Sequence, residues 1–179
     1  MPLIRKSRPT SEGAGVRLKR AFPSGNELLF DPFLLLDDFG SENPGDYAAG
    51  FPWHPHRGIE TVTYILHGAV EHGDSIGNSG VIGDGDVQWM TAGSGIIHQE
   101  MPVRTPGRTR GFQLWVNLPA ASKMIPPRYR DVPAATIPVV KPVKGVSIML
   151  ISGKVGDTTV PVRDIVVDID YMDVSLAPG

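Results

Sequence analysis

Hydrophobic positions along this 179-residue chain gather in short runs of alternating or β-branched residues, with no sustained recurrence every three or four positions. Residues 59–66 are rich in β-branched and aromatic side chains and predict a strand, as do 87–91, 96–101 and 111–118. Residues 30–39 form an apolar run bounded by acids and Gly40, as expected of a buried strand, and 15–22 alternate more weakly after a polar lead-in. Residues 40–51 read as a loop, and Gly68, residues 73–78, Gly80 and residues 83–86 as closely spaced turns. Beyond residue 118 six prolines fall between 119 and 142, predicting a semi-rigid connector with at most one helical turn near 119–124. Further strands are expected at 146–151 and 165–176. Short strands with turn signals every eight to twelve residues predict an all-β sandwich or barrel. No tandem repeat or low-complexity tract interrupts the pattern.

Composition narrows the chemistry. The chain has no cysteine, which removes disulfides, thiolate catalysis and Cys-based zinc sites. A net charge of -2 gives no electrostatic ground for binding nucleic acid or an anionic membrane. No apolar run approaches the length of a membrane span, and residues 1–6 lack the apolar stretch of a secretory signal, so a cytoplasmic location is expected, or a nuclear one in a eukaryotic cell. Gly83 and Gly85 do not form a phosphate loop, because no helix follows, and Ser94 lacks the helix of a nucleophile elbow.

Two short motifs carry the chemistry: His54-Pro55-His56 and His98-Gln99-Glu100. In a strand, side chains at i and i+2 share a face. Two neighbouring strands would therefore bring three imidazoles and one carboxylate around one point, a set suited to iron, manganese, nickel or zinc. Either motif alone is commonly structural; their occurrence together on separate strands of one β domain is what points to a metal. Pro52 and Pro55 place the histidines at a strand entrance. Glu60 shares their parity unless Gly58 resets it, and is then a ligand, an acceptor for an imidazole N–H, or a partner of Arg57. His67 has the opposite parity and His72 falls in a Gly- and Asp-rich turn, so both are assigned to the surface or to loops. Trp89, Trp115 and Phe112 are assigned to the core; Gln113, polar within an apolar strand, either bonds a ligand or satisfies a buried backbone group.

Residues 30–37, 54–64, 85–93, 95–102 and 113–119 resemble the pirin family of the cupin superfamily, with the likeness running from about residue 14 to the C-terminus. The resemblance implies a cupin-type jelly-roll β-barrel (a double-stranded β-helix) in residues 1–125, a proline-rich connector in 126–144, and the start of a second cupin-like domain in 145–179. Most of that second domain would lie beyond the chain, either by truncation or in a short natural form. It implies one divalent metal, most commonly Fe(II), with Mn, Ni or Zn as substitutes, held by His54, His56, His98 and Glu100. Glu60 then moves to the surroundings of the site, with Gln113 as a further pocket residue.

The implied activity is that of a quercetin 2,3-dioxygenase, opening the ring of a flavonol with O2, in which Glu100 doubles as the base. The alternative is an iron-dependent regulatory protein acting through a protein partner, as mammalian pirins do in transcription. Ser94 departs from the arginine that the family commonly carries in that turn. Strands in 145–176 are expected to pack back on the barrel or to self-associate through open edges.

Overall fold

The computed structural model describes residues 6–22, 27–103 and 108–178. It is nearly all β, as expected. Among the described residues fourteen strands run in chain order: β1 Arg8–Glu12, β2 Val16–Phe22, β3 Phe33–Asp38, β4 Phe51–His56, β5 Ile59–His67, β6 Val70–Asp74 and β7 Ser79–Ile82, then β8 Val87–Thr91, β9 Ile96–Pro102, β10 Arg110–Asn117, β11 Arg128–Val132, β12 Val139–Val140, β13 Val146–Ser152 and β14 Tyr171–Leu176. Among the described residues no helix is long and apolar enough to cross a membrane.

β1, β2, β3, β10, β5, β8 and β11 form one sheet in that order, and β4, β9, β6 and β7 form a second. The two face each other as a jelly roll. One apolar cluster between them joins Leu18 of β2 and Ile65 of β5 to Val70 of β6 and Ile82 of β7. Another joins Ile59 and Met90 to Ile96 of β9. The third sheet, β12-β13-β14, belongs to the C-terminal part.

β5 is central, and its alternation assigns each residue to one of two environments. Val62 and Tyr64 project outward with Trp89, Leu114 and Val116 and pack against Ile151, Val162 and Ile169 of the C-terminal part. Tyr64 also donates its hydroxyl hydrogen to Asp173 at 2.8 Å. The expected packing of 145–176 on the barrel is therefore present, but only 171–176 of the expected 165–176 strand is strand. Residues 153–170 instead run irregularly, presenting Val162 and Ile169 to the outer face of the large sheet. β14 is an edge, with Val174 and Leu176 exposed.

Five strands were not legible in the sequence: β1, β6 and β7, and β11 and β12 within the expected connector. β1 is polar, β6 and β7 are short and interrupted by glycine, and each is held by antiparallel pairing rather than by its own propensity. Part of the proline-rich segment, 128–132, is β11, paired residue for residue with β8.

Candidate metal centre

β4 and β9 pair so that His54 lies opposite His98, and Phe51 opposite Glu100. The bend between β4 and β5 is made by Gly58 at φ 68°, a left-handed conformation that glycine adopts without strain. His54 Nε2 stands 2.9 Å from His56 Nε2 and 3.0 Å from His98 Nε2. One ligand atom from each of the three rings falls within 4.8 Å of the others, a grouping able to hold a metal ion. His54 Nδ1 lies 2.8 Å from the carbonyl oxygen of Pro52. That oxygen can only accept, so Nδ1 carries the proton and Nε2 turns a lone pair toward the cluster.

The electrostatics suit a cation. Burial, then the neighbouring His98 and His54, push His56 down to about 3. Burial, then His54, push His98 down to about 3, against an opposing pull from Asp74. Both rings are therefore neutral near pH 7, the form that binds metals. His56 also packs edge-to-face on Trp115, with ring centroids 5.0 Å apart. The donor set thus fits a first-row divalent metal, and the three imidazoles are the residues that could hold it.

Glu100 is buried beside the three imidazoles but contributes no atom to the 4.8 Å group. Thr63 Oγ1 donates to its Oε1 at 2.8 Å and lies 2.6 Å from Gln113 Oε1. A hydroxyl has one proton, so with that proton on Glu100 the Gln113 amide turns its NH2 toward Thr63. Burial raises the Glu100 carboxyl above its ordinary value, opposed by the Thr63 hydrogen bond and by His54 and His72. The site opens into a cavity of about 800 Å³. Leu34, Leu35, Phe51, Trp53 and Trp115 give it apolar walls, and Gln113, Thr63 and Glu100 a polar side. Trp115, assigned to the core over a substrate role, is half-buried and reaches this cavity; Trp89 is core. Phe112 packs from the same outer face as Trp89.

Two assignments are corrected. Glu60 does not approach the cavity. β4 and β5 lie in different sheets across the Gly58 bend, so parity does not carry from His56 to Glu60. Glu60 instead shares the outward face of Val62, fully buried, and accepts a hydrogen bond from Thr91 Oγ1 at 2.6 Å. His72 is not on the surface. It is buried in β6 opposite Glu100, with Nε2 3.0 Å from Asp131 Oδ2 and its ring 5.0 Å from that of Tyr129. A Cβ at Gly80 would stand 2.9 Å from His72 Nε2, so the glycine makes room for the His72–Asp131 pair. The misreading came from taking the glycines around His72 as turns. Alternation with Val70 and Asp74 was the available signal. His67, half-exposed beside Arg108 and Asp84, is at the surface as expected.

A two-sheet antiparallel jelly roll with converging histidines from paired strands is the architecture of a metal-binding cupin. The family model described as Pirin matches residues 15–116, and the chain belongs to the pirin family. A pirin-like protein of Caulobacter vibrioides is 51% identical over 98% of this chain and 64% of its own length. A crystal structure named quercetin 2,3-dioxygenase from Acinetobacter baumannii has a TM-score of 0.83 at 35% identity, covering 95% of this chain and 62% of that one. The Escherichia coli pirin YhhW in complex with nickel(II) has a TM-score of 0.57 at 26% identity, covering 82% of this chain and 69% of that one. The chain spans 44 to 64% of the length of the first three curated relatives it matches.

Proposed function

We propose that this protein is a metal-dependent dioxygenase that opens the central ring of a flavonol such as quercetin. The observation that carries the reading is the convergence of three imidazole nitrogens at the head of an apolar cavity. The name of the Acinetobacter baumannii relative supports the substrate class, and nickel in the Escherichia coli relative supports a divalent metal.

In this reading His54, His56, His98 and Glu100 hold one metal. Fe(II) is the preferred occupant, and Mn, Ni or Zn are accepted by the same donors. When bound, the metal would supply Lewis acidity toward the flavonol 3-hydroxyl. The chain's own residues do the rest. His54 is fixed in its tautomer by Pro52, so its Nε2 stays available. Glu100, raised by burial and oriented by Thr63, takes the proton from the substrate hydroxyl at a carboxylate oxygen. Trp115, Leu34 and Leu35 exclude water from the aromatic rings of the substrate. O2 enters the product and carbon monoxide leaves.

Metal analysis of protein purified without added metal, beside His98→Ala, tests the first half of this reading. Near one metal per chain, falling more than about 100-fold in affinity in the variant, is the expected result. Flavonol consumption after anaerobic Fe(II) loading tests the second half, with Glu100→Gln losing more turnover than metal. Iron-loaded protein that leaves quercetin and O2 untouched would sink the dioxygenase reading.

A further inference from the structure

A row of polar residues crosses the inner face of the large sheet, one from each of its strands except β1: Arg20, Asp37, Gln113, Thr63, Gln88 and Asp131. Its near half leads away from Glu100 into the cavity, and Arg20, Asp37 and Gln113 all line it. With strands about 4.8 Å apart, Asp37 lies roughly 10 Å along the row from Thr63. A rigid aromatic of two or three rings spans such a distance.

Arg20 and Asp37 are more than a structural pair. Arg20 Nε and Nη2 form a fork on the two carboxylate oxygens of Asp37, both bonds 2.7 Å. Nη2 also meets Glu12 at 2.9 Å. Arg20 Nη1 has no partner among the described residues, which leaves two N–H donors. Each Asp37 oxygen keeps a second lone pair after bonding Arg20. A rigid donor and a rigid acceptor therefore stand side by side in the cavity wall, with Leu35 and Phe39 among its apolar residues. A phenolic hydroxyl, which both donates and accepts, satisfies both at once. An anionic substituent does not, because two carboxylates already face one guanidinium.

We propose that Arg20 and Asp37 form a distal subsite that selects substrates bearing a neutral hydroxyl on the ring farthest from the metal. This rests on the flavonol reading of the site and names the residues that read the substrate's far end. Gln113 lies between the two ends of the row and aligns the ring edge with Thr63 and Glu100.

The test is equilibrium binding to the zinc-loaded 179-residue chain, which reports affinity without turnover. The probes are 3-hydroxyflavone, which has the chelating group alone, and quercetin, which adds hydroxyls on both outer rings. The wild type is expected to prefer quercetin by about 10-fold or more. In Arg20→Met/Asp37→Leu, which removes both charges together so that neither is left buried and unpaired, the preference falls below about threefold while 3-hydroxyflavone affinity holds. Arg20→Lys keeps the charge but loses the fork, and is expected to fall between. If the double variant does not fold, Arg20→Lys and the wild-type ratio decide the matter. Binding of both probes with equal affinity in the wild type, or a preference unchanged in the variants, overturns the subsite alone. Failure of the wild type to bind either probe overturns the flavonol reading, and the subsite falls with it.

Discussion

The two faces of the large sheet are built by the same strands yet are opposite in character. On the inner face β5 presents Thr63 to Glu100 and Gln113. One residue to either side, Val62 and Tyr64 pack with Ile151, Val162 and Ile169. The inner face carries the forked Arg20–Asp37 pair and looks onto the neutral imidazoles and raised carboxyl of the smaller sheet; the outer face is mainly apolar, with the Glu60–Thr91 bond within it and Tyr64 bonded to Asp173. The difference teaches that strand alternation separates the groups that do chemistry from the groups that supply stability. Each face can then be damaged with little effect on the other.

The largest effect is expected on the outer face. Ile151→Ala, at a fully buried position, should cost about 2–5 kcal/mol in urea unfolding. The folded fraction should keep its full metal content. A parallel fall in metal per folded chain would show that the faces are coupled.

Acid probes the site that the inner face looks onto. His56 and His98 sit at about 3 when folded, against an ordinary 6.5. Below pH 6.5 the unfolded chain takes up protons that these buried rings refuse. Metal-free protein therefore loses stability as the pH falls from about 6.5 toward 3, by up to about 1.4 kcal/mol per pH unit for each ring. Glu100, with its carboxyl raised, acts in the opposite sense: its contribution is present at low pH and is lost as the pH rises through its folded value. Two rings against one carboxyl should leave the urea midpoint lower at pH 5 than at pH 7. A midpoint that rises at pH 5 would mean that the rings are not buried as neutral bases.

Smaller effects sharpen the contrast. Tyr64→Phe removes the bond to Asp173 and should cost about 1 kcal/mol, seen as faster hydrogen exchange in β13 and β14 with the metal site unaltered. Glu60→Gln should change metal content least of all, because Glu60 faces Thr91 on the outer side and its amide replacement keeps that bond. Loss of metal in that variant would return Glu60 to the site.

Much of the centre was legible because its signal is local. A histidine two residues from another, and a histidine two residues from a glutamate, express the strand period directly, and the apolar strands β5, β8, β9 and β10 expressed it around them. What stayed hidden depends on pairing between distant segments. Arg20 and Asp37 meet only because β2 lies against β3 in one register. His72 is buried because β7 and β9 flank β6, and its neighbours in sequence report this only weakly, through its alternation with Val70 and Asp74. Glu60 was misread because a bend at a single glycine moves the chain from one sheet to the other.

The irregularities in strand pairing have a consequence for how the gene can change length. Where β10 meets β5, the register shifts between Arg110 and Gly111, opposite Ile65 and His67. An inserted codon at that end of β5 meets a place where the ladder already absorbs an extra residue. The same insertion at Thr61 or Val62 meets uninterrupted pairing on both sides, and would turn Val62 toward the metal and Thr63 toward the C-terminal segment. Length variation among descendants of this chain should therefore collect at the far end of β5 and be purged at its middle, even where single substitutions there are tolerated.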